Sequence, residues 1–94
     1  MIIAVSRTAY YAGLDPHATG VPGELGWPEP TRHPRGRGAE YRYTLTPEQA
    51  DEMADHLATL GASLMYSSEP DDRAEGRACL TAAIRIRAQV VAQS

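Results

Sequence analysis

Hydrophobic and polar positions change their spacing three times along these 94 residues. The segment IIAVSRTAYY is rich in β-branched and aromatic types and free of glycine and proline, which predicts a strand over 2–11. Periodicity then disappears. Residues 13–38 hold six of the eight glycines and five of the seven prolines, so an irregular loop is expected there. In AEYRYTLT, Tyr41, Tyr43 and Leu45 alternate with Glu40, Arg42 and Thr44. That two-residue period predicts a half-buried strand over 39–46. Helical spacing takes over afterwards.

The first helix, expected over 47–66, has a marked start. Thr46 suits the N-cap, Pro47 the first helical position, and Gln49 completes a T-x-x-Q capping box. Ala50, Met53, Leu57, Leu60 and Leu64 then form one apolar stripe, and Gly61 places the end of the helix between 60 and 67. A second helix is expected over 70–93, with Asp71 and Asp72 in its first turn and a stripe of Cys79, Leu80, Ala83, Ile84, Ile86, Val90 and Val91. The short connection makes the two an antiparallel αα-hairpin. Ala54, Ala58, Gly61, Ala78, Ala82 and Ala83 let the axes approach closely.

The fold class is therefore α+β: two antiparallel strands, joined by a long Gly/Pro-rich loop, packed against a C-terminal antiparallel αα-hairpin in one domain, 1–94. A two-stranded sheet is marginal alone. An open sheet edge and Ala-rich helices together predict a homodimer.

Charge changes this picture. The net charge is −3 and every basic side chain apart from histidine is arginine, which excludes a generally basic nucleic-acid binder. The charge is nonetheless segregated. Arg32, Arg35, Arg37 and Arg42 stand against Glu40 in 32–42, eight acids stand against Arg73 in 48–75, and Arg77, Arg85 and Arg87 have no acid near them in 76–94. T-R-H-P-R-G-R-G reads either as a flexible arm that tracks phosphates or as a cluster paired with the acidic first helix. In the first reading Arg32, His33, Arg35, Arg37 and Arg42 are the nucleic-acid contacts.

The remaining composition narrows the setting. Lysine, asparagine and phenylalanine are absent, and their codons are AT-rich, which fits a small bacterial protein from a high-GC genome or one of its phages. The apolar run at residues 1–5 is too short for a signal peptide, and no stretch reaches the length of a membrane span. A cytoplasmic protein with no membrane partner is expected, with Cys79 as a reduced thiol. The single cysteine excludes an intrachain disulfide and a thiol-based zinc knuckle.

Catalytic constellations are thin. Without lysine there is no P-loop lysine, Schiff-base lysine or S-x-x-K pair. His17, His33 and His56 lack metal-ligand spacing, and no cofactor is expected. Glu48, Asp51, Glu52 and Asp55 share a helix face, but Asp71, Asp72 and Glu75 lie at the far end of the hairpin, roughly 20 Å away. A metal-dependent helical hydrolase acting on nucleotides would need a dimer to join these clusters. Trp27, in G-W-P-E-P, either pins the loop to the core or anchors a partner protein. The leading expectation is a small non-enzymatic interaction or regulatory module, homodimeric or bound to another protein, with Trp27, Tyr41 and Tyr43 as its contacts. The alternative is a nucleic-acid-binding regulator using 32–42.

Overall fold

The computed structural model describes residues 1–19, 27–36 and 38–94. Residues 20–26 of the expected loop, and Arg37, lie outside the described residues. Strand β1 (Ile2–Ser6) keeps the two-residue alternation, with Ile3 and Val5 buried and Ile2 and Ser6 exposed. It stops at Ser6, not at residue 11. Ser6 turns the chain into α1 (Arg7–Ala9), its hydroxyl accepting from the Ala9 N–H at 3.4 Å, an N-cap. A π-helical turn (Tyr10–Leu14) follows, closed by the Asp15 N–H on the Tyr10 carbonyl, and then α2 (Pro16–Thr19). Ala9, Gly13 and Leu14 go inward, which is helical spacing. The β-branched and aromatic content of 7–11 is overruled by that burial.

Strand β2 (Thr31–Arg35) occupies the end of the expected loop, and β3 (Gly38–Thr44) is the alternating strand. The sheet therefore has three antiparallel strands, in the order β1-β3-β2, where two were expected. β2 and β3 form a hairpin with Arg35 opposite Gly38. Gly36, just past β2, sits at φ 59°, the left-handed region that glycine enters without strain. Pro34 pairs across with Ala39. Proline has no N–H to give β3, so Pro34 and Arg32 direct their outer backbone groups away from the sheet, as an edge strand permits. The Arg-rich stretch is thus a β-hairpin and not a flexible arm.

Two long helices complete the chain: α3 (Pro47–Leu64) and α4 (Pro70–Ala92). The capping box at Thr46 and Gln49 is formed in both directions, at 3.1 and 2.9 Å. Gly61 faces Gly76, and Arg87 reaches Asp51 and Asp55. Those pairs run in opposite chain directions, so the helices are antiparallel. The core joins Ile3, Val5 and Tyr43 of the sheet to Met53 and Leu57 of α3 and Ile86 of α4. No described helix is long and apolar enough to cross a membrane.

The free edge of β1 is not open. Gln89 of α4 accepts from the Ala4 N–H at 2.7 Å and donates to the Ala4 carbonyl at 2.9 Å. One turn on, Gln93 does the same to Ile2, at 3.1 and 2.7 Å. Two side-chain amides thus stand in for a neighbouring strand. At the other edge, Pro34 and Arg32 hold the outward positions of β2, so one of the two carries no donor, and Pro30 lies just before the strand. The unpaired β1 edge on which the expected dimer relied is already satisfied within the chain.

Candidate cationic groove

Cross-strand pairing sorts the side chains of the sheet onto two faces. Ile3, Val5, Tyr41 and Tyr43 share the inner face with Arg32 at its margin. Ala4, Ser6, Glu40, Arg42, His33 and Arg35 share the outer one. The contacts expected of 32–42 therefore separate. His33, Arg35 and Arg42 come together on the outer face, Arg32 turns toward Tyr41, and Arg37 lies outside the described residues.

α4 runs beside this outer face and makes a groove of 820 Å³ with it. Its floor is small, from Ala4, Gly38, Ala39, Ala88 and Ala92. Arg7, Arg35 and Arg85 stand around it with the hydroxyls of Ser6 and Thr8. A smaller hollow of 230 Å³ adjoins it, sharing Ser6, Thr8 and Arg85 and adding Arg77 and Thr81. Among the described residues lining the two, the one carboxylate is Glu40. It is already held by Arg42 at 2.7 Å and Arg35 at 2.8 Å. Hydrogen bonding from Arg42, then from Arg35, keeps its carboxyl below the usual carboxylate range against the opposing effect of burial. Glu40 stays ionised at neutral pH and orients the two guanidiniums. Its single charge leaves most of the local positive charge uncompensated.

Arg7, Arg77 and Arg85 were not among the sequence candidates for this site. A signal existed: Arg77, Thr81, Arg85 and Gln89 of α4 and Gln93 at its C-cap form a polar row at every fourth residue. This row lies along β1, the two glutamines satisfying its edge and the two arginines facing the hollow. Arg77 and Arg85 carry no ion pair among the described residues. The acids of α3 take a different cation, Arg87, which lies 3.8 Å from Asp51 and also bonds Asp55. The expected pairing of the 32–42 arginines with the acidic helix does not occur among the described residues.

Trp27, Tyr41 and Tyr43 are core residues, at 8, 6 and 2% exposure. Trp27 packs edge-on against His56, with centroids 5.8 Å apart. His56 reaches the Gly13 carbonyl through Nε2 at 2.7 Å, and because a carbonyl only accepts, Nε2 carries the proton. Tyr10 stacks on Tyr41 at 3.8 Å with planes 5° apart. The Tyr41 hydroxyl donates to that of Tyr11 at 3.0 Å. Burial, then the Asp15 carboxylate, pushes the Tyr10 hydroxyl pKa up, and burial does the same to Tyr43. These phenols stay neutral and serve packing. Among the described residues no three His, Cys, Asp or Glu side chains gather as a metal site.

No family model, curated protein or solved structure matches this chain.

Proposed function

We propose that this protein binds nucleic acid through the sugar–phosphate backbone, using the groove between the outer sheet face and α4. One observation carries this reading. Arg7, Arg35, Arg77 and Arg85 line two adjoining hollows in a chain of net charge −3, and the sole carboxylate among the described lining residues is already doubly bonded. Arginine presents a fork of donors that matches phosphate oxygens. The alanine and glycine floor lets a backbone come close, and Ser6 and Thr8 supply neutral donors. The acidic face of α3 disfavours polyanions elsewhere on the molecule, so electrostatic attraction is concentrated at the groove. The protein-contact reading loses its motive because Trp27, Tyr41 and Tyr43 are buried.

The test is titration of mixed-sequence DNA and RNA at low salt with native protein and with Arg35→Ala/Arg85→Ala. Binding by native protein that falls at least tenfold in the double variant supports the reading. Equal binding by both proteins contradicts it.

A further inference from the structure

Arg7 has two neighbours. It stands in the wall of the groove, and its guanidinium lies 5.5 Å from the ring centre of Tyr11, one helical turn away. Tyr11 is 47% exposed, yet it is not a free surface side chain. Its hydroxyl is bonded to Tyr41, and Tyr10 and Tyr41 meet its ring edge to face, at 5.3 and 5.9 Å. Tyr41 is in turn clamped by the Tyr10 stack. Tyr11 is thus an aromatic surface fixed in advance, with the Arg7 guanidinium over its ring. Ordering a side chain on binding normally costs entropy. Here that cost is met in the free protein.

Resting on the nucleic-acid reading above, we infer that the ligand is single-stranded, with an unpaired base stacked on Tyr11 while the adjoining phosphates lie along Arg7 and the groove. A duplex hides its base faces and can offer only phosphates, whereas a single strand presents both groups that this surface fits. Stacking is indifferent to base identity, so the preference is for strandedness and not for sequence.

The experiment compares three probes: a short oligothymidylate, a mixed-sequence DNA duplex and inorganic polyphosphate. Each is titrated with native protein, Tyr11→Ala and Tyr11→Phe. The inference predicts tighter binding of the oligothymidylate than of the duplex. It also predicts a loss of at least about fivefold for oligothymidylate in Tyr11→Ala, with most of the affinity kept in Tyr11→Phe. Polyphosphate binding should be unmoved by either change. In native protein, the Tyr11 ring proton resonances should shift upfield with oligothymidylate and stay in place with polyphosphate, a readout independent of how the variants fold. If the three probes bind alike and the Tyr11 resonances stay still, the single-strand inference is overturned while backbone binding stands. If none binds in a salt-sensitive way, the groove reading itself fails, and the inference with it.

Discussion

Gly61 of α3 and Gly76 of α4 meet backbone to backbone: a Cβ on Gly61 would lie 2.7 Å from the Gly76 carbonyl oxygen, and one on Gly76 would lie 2.9 Å from that of Gly61. Alanine in place of glycine ordinarily stabilises a helix interior by about 1 kcal/mol. Here neither carbonyl can give way without separating the helices. Gly61→Ala and Gly76→Ala should each destabilise the protein by about 1–3 kcal/mol in urea denaturation.

Gln89 and Gln93 do the same job in different surroundings. The Ala4 groups are half-buried and the Ile2 groups are exposed, so water can replace Gln93 but not Gln89. Gln89→Ala should cost about 1–2 kcal/mol and Gln93→Ala a few tenths. Gln89→Glu should fall near the alanine variant, because a carboxylate cannot donate to the Ala4 carbonyl. Faster amide exchange at Ala4 would report the loss directly.

How far the sequence carries the fold is visible in particular residues. The Thr46–Gln49 box, the alternation of Tyr41 and Tyr43 and the Met53/Leu57 stripe are local signals, and each has its structural counterpart. β2 was hidden because Pro34 and the arginines read as loop, and only its edge position makes proline tolerable. The turn at Ser6 was hidden because β-branched and aromatic content outweighed a cap three residues before Ala9. The site was half legible. Arg35 and Arg42 were named, but Arg7, Arg77 and Arg85 join them only through the docking of α4 on β1, a tertiary contact between residues some eighty positions apart.

The thiol of Cys79 is fully buried, and burial, with the Glu75 carboxylate adding to it, pushes its pKa up to about 11. The folded state therefore holds the proton more tightly than the unfolded chain. The resulting stabilisation is complete below the ordinary thiol pKa and is lost as pH rises through about 11. Native protein should resist aromatic disulfide reagents near pH 8, and urea well above its unfolding midpoint should release full reactivity. Rapid labelling without denaturant would show that α4 does not pack as described.

Trp27 is the lone tryptophan, so its fluorescence reports its own burial. The emission should be blue-shifted relative to unfolded protein. Trp27→Ala should lower stability by about 3–5 kcal/mol and, if the protein is still folded at low temperature, leave nucleic-acid affinity within twofold.

Glu40 sets the charge of the groove. Because its folded-state pKa lies below the ordinary value, its ion pairs stabilise the fold above the ordinary carboxylate range, and that contribution is lost as pH falls through the lowered folded value. Nucleic-acid affinity should therefore be unaffected by Glu40 from neutral pH down to the ordinary carboxylate range. Glu40→Gln should release Arg35 and Arg42 for phosphate, tightening binding severalfold while costing about 0.5–1 kcal/mol of stability. The two readouts moving in opposite directions distinguish a ligand groove from a purely structural charge cluster.

If the groove arginines neutralise phosphates together, binding must weaken steeply with salt. About four phosphates met by Arg7, Arg35, Arg77 and Arg85 give a slope of log affinity against log salt of roughly −3 for single strands. Native protein should show that slope, with a decrease in magnitude of about 1.4 in Arg35→Ala/Arg85→Ala. A slope near zero, or one that the double variant leaves unchanged, would contradict it.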